Sequence, residues 1–207
     1  MRKLTIFILI VFISNILFAQ YSGKKQKILI AYFTWAQNKD LSKEVDTSTH
    51  ASVKLLDKTY KGDTEIVAEW INQEIGGDLF GIKTANKYSN NFNQAVEEAG
   101  RELRRNARPE LITYTHDISK YDIIFLGYPM WHRDVPMAVY TFLESYNLSG
   151  KIIVPFSTHM GGGLGTSVGT IRKLEPKATI LEAIMIYDGQ IFEYKKKVKE
   201  WLDKIGF

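Results

Sequence analysis

The amino-acid sequence predicts an α/β domain, a doubly wound five-stranded parallel sheet with helices on both faces. Three observations carry that expectation. Strand-like and helix-like segments alternate along the chain, as they do where βα units wind a parallel sheet. Residues 27–36 and 122–128 are apolar almost without a break, the pattern of strands buried on both faces. The least ordinary loops follow the first, third and fourth strands, so they would share the edge where such sheets hold ligands.

In chain order, Met1-Arg2-Lys3 precede an apolar run that closes on Ala19, the form of a secretory signal peptide over residues 1–20. The alternative is an uncleaved membrane anchor, but the run is shorter than the ~20 apolar residues of a spanning helix and Ser14-Asn15 interrupts it. Export to the periplasm or medium is the expectation, with no stable membrane insertion after cleavage. Residues 27–207 then form one domain, long enough to bury a sizeable core. Strand one ends on the hydroxyl of Thr34. Residues 37–61 are polar and read as an insertion, after which Gly62-Asp63-Thr64 opens an amphipathic helix that Gly76-Gly77 stops. Residues 78–84 are a short second strand near an edge, and a helix runs from Phe92 to about Ala107, before Pro109. The third strand, 122–128, leads through Pro129-Met130-Trp131-His132 to a helix with Pro136 in its first turn. The fourth, 151–157, leads through Thr158-His159-Met160-Gly161-Gly162-Gly163 to a helix ending near Leu174. Residues 178–187 are the fifth strand. The last helix points Ile191, Tyr194, Val198, Trp201, Leu202 and Ile205 at the core, with Lys195-Lys196-Lys197 on a solvated face.

Composition excludes several chemistries. There is no cysteine, hence no disulfide, thiol nucleophile, Cys-ligated metal or lipoprotein anchor. The net charge is +4, of which Arg2 and Lys3 supply two, too mild for a nucleic-acid partner.

Each unusual loop suits part of one ligand. Thr34, Ala36 and Gly62-Asp63-Thr64 offer a hydroxyl, backbone N–H groups and a helix N-terminus to a phosphate. Trp131 offers a flat π surface where a core residue has no evident place. The triple glycine lets backbone approach a planar polar ring. Together they describe a mononucleotide with a flat heteroaromatic ring, FMN before others, whose stacking on an indole is worth about 1–3 kcal/mol by analogy with bases.

At this point residues 27–207 resemble the flavodoxins. The resemblance rests on Tyr32-Phe33-Thr34-Trp35, on Gly62-Asp63-Thr64 with Val67-Ala68, and on Gly77-Asp78-Leu79-Phe80-Gly81-Ile82. It is strongest at Leu126-Gly127-Tyr128-Pro129-Met130-Trp131 with Val135-Pro136 and Thr141-Phe142-Leu143-Glu144, and ends at Leu148-Ser149-Gly150-Lys151 into Phe156 to Gly163. It implies strand order 2-1-3-4-5 and FMN binding. By position, Thr34, Trp35, Ala36, Gly62, Asp63 and Thr64 would surround the phosphate. Pro129, Met130, Trp131 and His132 would flank the flavin, with Thr158, His159, Gly161, Gly162 and Gly163 along its polar edge.

Three features depart from that family. Its phosphate turn is usually continuous and carries Asn where this chain has Asp63; a carboxylate ~6 Å from a phosphate would cost roughly 3 kcal/mol at an effective dielectric of 20. The expectation is that the Asp63 side chain caps the helix and only its N–H meets the ligand. The insertion, with Val45 to Val53, reads either as a lid on the flavin or as a long surface loop. The chain is mildly basic and apparently exported, whereas flavodoxins are usually acidic and cytoplasmic, so an acidic docking face is not expected.

His116 reads as exposed, and His50 lacks metal-ligand spacing to any other histidine. His132 and His159 are either ordinary surface residues or tune the flavin; one positive charge ~7 Å from the ring would favour its reduced anion by roughly 2.4 kcal/mol. Tyr128 and Tyr187 read as core residues closing their strands. Two function classes follow: an electron carrier serving a redox partner protein or small electron acceptor, or a reductase that takes hydride from NAD(P)H for a quinone-like acceptor.

Overall fold

The computed structural model describes residues 26–40, 53–56, 59–112 and 117–207, without the side chain of Leu55. The N-terminal segment 1–20, His50, His116 and the middle of the insertion lie outside the described residues.

The elements are β1 (Ile28–Phe33), β2 (Val53–Leu56), β3 (Thr59–Gly62), α1 (Asp63–Ile75), β4 (Asp78–Ile82), α2 (Phe92–Arg104), β5 (Ile123–Pro129), α3 (Met137–Ser145), β6 (Ile152–His159), α4 (Ser167–Leu174), β7 (Thr179–Ile180), β8 (Ile184–Tyr187) and α5 (Lys195–Ile205). The main sheet is parallel in the order β4-β1-β5-β6-β7, with β8 also on β6. This is the expected 2-1-3-4-5 winding. Alternation along β1 sends Leu29, Ala31 and Phe33 to one core and Ile30 and Tyr32 to the other. The first core packs on α2, α3 and α4 through Ala95, Ala138, Phe142 and Ile171. The second packs on α1 and α5 through Ile66, Val67, Ile71, Val198 and Leu202. Lys195, Lys196 and Lys197 are exposed, as their pattern implies.

The expected fifth strand is broken in two. Ile153 O accepts Leu181 N–H at 3.0 Å, which turns the alternate position, Pro155, toward the same edge. Proline has no N–H to give the ladder, so the edge strand bulges at 181–183 and resumes pairing at Phe156. Helix α2 stops at Arg104, before the expected Ala107. Asn106 takes φ 49°, and the N–H groups of Asn106 and Ala107 close on Leu103 O and Glu102 O, a Schellman ending built on asparagine.

The described part of the insertion is a 3₁₀ turn, Ala36–Asn38, and the antiparallel hairpin β2–β3. Val53 is buried in one core and Leu56 packs on the other, so this part is seated on the sheet and runs directly into α1.

Candidate functional site

The chain leaves β1 at Thr34, and the buried Asn38 fixes its path. Asn38 Nδ2 donates to Thr34 O at 2.8 Å and Ile82 O at 3.0 Å, while its Oδ1 accepts from Thr84 N at 2.7 Å and Thr84 Oγ1 at 3.0 Å. That clamp ties the loop after β1 to the end of β4. Sequence reasoning missed Asn38 because two of its three partners, Ile82 and Thr84, are distant in the chain.

Below the loop, the start of α1 is drawn close. A Cβ on Gly62 would lie 1.6 Å from Thr34 Oγ1, so only glycine fits. Thr34 Oγ1 is buried without a hydrogen-bond partner, and so are both oxygens of Asp63. Glycine cannot cap with a side chain; instead Glu65 Oε2 accepts the Gly62 N–H at 3.4 Å. Asp63 therefore does not cap the helix, contrary to expectation: it is the first helical residue, wholly buried, with Lys54 Nζ of the hairpin 3.9 Å from its Oδ2. Burial, offset in part by Lys54 and reinforced by Asp188, pushes its carboxyl up to about 7. Thr64 Oγ1 lies 2.9 Å from Thr158 Oγ1, joining this corner to the end of β6.

Beside it opens an apolar cleft of about 170 Å³, lined by Trp35, by Pro129 to His132, by Thr158 to Met160, and by one face of α2. Loops one, three and four thus meet at one edge. The α2 face, Phe92, Ala95, Val96 and Ala99, escaped sequence reasoning because alanines one turn apart give little hydrophobic signal. Thr34, Ala36, Gly62, Asp63 and Thr64 are buried and do not line the cleft, to which Trp35 and the Thr64–Thr158 contact join them; Gly161 to Gly163 follow Met160, exposed or half-buried, with φ of 102° at Gly161 and 60° at Gly163.

The loop after β5 is a tight turn. Trp131 N donates to Asp134 O at 3.0 Å and Asp134 N to Trp131 O at 2.9 Å, with His132 at φ 48° and Arg133 at φ 66°. This is a type I′ turn made without Asn or Gly, costing about 1–2 kcal/mol for each left-handed residue. Contacts hold it there: His132 Nε2 donates to Val96 O at 2.9 Å, and Arg133 O accepts from Thr166 N at 2.8 Å and Thr166 Oγ1 at 2.9 Å. The turn presents Trp131. Its ring does have a place against the core, edge-on to Phe33 at 5.3 Å and to Tyr88 at 5.1 Å, which fixes the indole at the cleft wall.

Trp35 donates Nε1–H to Ser89 O at 3.1 Å, and Lys39 Nζ sits 3.8 Å over its ring. His159 Nδ1 accepts Gly161 N–H at 2.9 Å, and burial lowers its pKa, which favours the neutral ring. Tyr128 is fully buried as expected, donating to Ser167 Oγ at 2.9 Å. Tyr187 is not: it is 40% exposed, because β8 is an edge strand.

A flavodoxin family model matches residues 54–205, well over half of the chain. The chain belongs to the flavodoxin family. The matched region begins within the hairpin, after the insertion has separated β1 from the rest. Among solved structures, a candidate flavoprotein from Bacteroides eggerthii DSM 20697 is 27% identical with TM-score 0.67, covering 88% of this chain and 99% of that one. A second, from Bacteroides uniformis ATCC 8492, is 21% identical with TM-score 0.65, covering 87% and 99%. A flavoprotein from Lactobacillus acidophilus NCFM, solved in complex with FMN, shares the fold at 19% identity and TM-score 0.57, covering 83% and 99%. None of the curated proteins matches the chain.

Proposed function

We propose that this flavodoxin binds FMN without a covalent bond and carries electrons for a redox partner protein or small acceptor. One observation carries the reading: a buried, unsatisfied Thr34 hydroxyl and a crowded glycine at a helix start are joined, through Trp35 and the Thr64–Thr158 contact, to an apolar slot walled by Trp131. The first group suits a phosphate and the slot suits a flat ring, so the residues present fit FMN. Thr34, Trp35, Ala36, Gly62, Asp63 and Thr64 would hold the phosphate end. Pro129 to His132 would flank the ring, with Thr158, His159 and the three glycines at its polar edge. Bound FMN supplies one- and two-electron redox chemistry. The protein's part is to hold the ring against Trp131, keep water off its apolar face, and bring the Gly161 to Gly163 backbone, with the Gly162 and Gly163 N–H groups, to its polar edge.

The described cleft, at about 170 Å³, is smaller than the ~300–1,000 Å³ of an ordinary small-molecule pocket, which supports a carrier over a reductase. FMN-loaded protein should therefore turn over NAD(P)H with a quinone no faster than free FMN, yet pass electrons to a protein acceptor. Turnover well above free FMN overturns the carrier reading in favour of the reductase.

The N-terminal segment supports export. Fractionated cells should contain, outside the cytoplasm, a mature chain cut next to Ala19 and lacking the signal segment; an intact N-terminus in the membrane fraction would establish the anchor instead.

A further inference from the structure

Asp63 is an odd neighbour for a phosphate. It is fully buried at the first position of α1, neither oxygen has a hydrogen-bond partner, and Thr34 Oγ1, equally unsatisfied, lies against the preceding Gly62. A buried acceptor pair without donors costs free energy that a hydrogen bond would recover. The charged groups acting on it are few. Lys54 from β2 stands 3.9 Å away, Asp188 from the 3₁₀ segment after β8 adds like charge, and Glu65 on its own helix is engaged by Gly62 N–H and by Gln37 Nε2. A dianion arriving here would face an ionised carboxylate. A neutral carboxylic acid would be a donor.

We propose that Asp63 meets the phosphate of FMN as a protonated acid, with Lys54 of the insertion hairpin as the cation beside it, so that FMN binding takes up a proton. This rests on the FMN reading and deepens it. The burial that pushes the free carboxyl up to about 7 makes the protonated form accessible near neutral pH. The hairpin is then part of the phosphate site, since it brings in the only cation given an ion pair with Asp63 among the described residues.

The test is FMN affinity from pH 7.5 to 9, where the phosphate stays dianionic because its second pKa is about 6. With the wild-type protein, Kd should rise by up to tenfold per pH unit; with Asp63→Asn it should stay flat; riboflavin, lacking the phosphate, should show no such slope. Calorimetric titration of wild type at pH 8 in two buffers of different ionisation enthalpy should give close to one proton taken up per FMN. A flat wild-type profile with no proton uptake, while FMN still binds, overturns the inference and leaves the FMN reading standing. Absence of FMN binding by both proteins at every pH overturns both.

Discussion

Asp63 and Asn38 show how two buried polar side chains in one corner do opposite work. Asn38 has each amide atom hydrogen-bonded and clamps the loop after β1. Asn38→Ala should lower unfolding stability by about 2–4 kcal/mol in a urea titration, from the lost bonds and the buried partners left without donors or acceptors. Asp63 is unsatisfied, and its titration links stability to pH. Its folded pKa of about 7 lies above that of an unfolded aspartate, so its native state holds the extra proton between those values. Its contribution is most favourable below about pH 4 and is lost as pH rises through 7. Asp63→Asn should therefore raise Tm little at pH 4.5 and clearly at pH 8.5, where the gain in unfolding free energy is up to about 4 kcal/mol. An equal Tm change at both pH values would contradict this. His159 has the reverse sign: its lowered pKa removes stability as pH falls below its unfolded value near 6.5, so only the variant-minus-wild-type difference isolates Asp63.

The turn after β5 is strained and the inner strands are tightly packed, so they respond to substitution in opposite ways. Replacing Arg133 by Gly puts a permissive residue at φ 66° and should stabilise the apoprotein by about 1 kcal/mol, measured by denaturant midpoint. Gly127→Ala should do the opposite, because a Cβ there would sit 2.2 Å from the Phe156 ring between β5 and β6; a loss above ~2 kcal/mol is expected. Elements differ in how far sequence reveals them. β1 and β5 are legible because burial on both faces leaves a continuous apolar run. The break between β7 and β8 is not, because its cause, Pro155, lies on the neighbouring strand and acts through a missing N–H. Tyr187 misleads for a related reason: an apolar residue ending a strand looks the same in sequence whether that strand is central or at the edge.

For the whole molecule, winding order places every unusual loop on one side before any contact is known, which is why the cleft's position could be read from sequence. Its far wall could not. Ala95 and Ala99 of α2 become functional only through what stands opposite them, and the Thr64–Thr158 contact spans residues far apart in the chain. The same convergence predicts that a ligand bridging loops one, three and four stabilises the entire fold: at about 100 times Kd, FMN should add about 2.7 kcal/mol. The most direct measurement is a titration of the purified protein with FMN, following flavin absorbance and fluorescence, with Trp131→Ala alongside. Binding at the cleft should give shifted flavin bands, quenched emission, a Kd at micromolar or below, and roughly 5- to 150-fold weaker binding by the variant, the equivalent of about 1–3 kcal/mol of stacking. Unchanged flavin spectra at micromolar FMN would contradict it, and would mean that this flavodoxin fold has turned its split phosphate loop to another ligand.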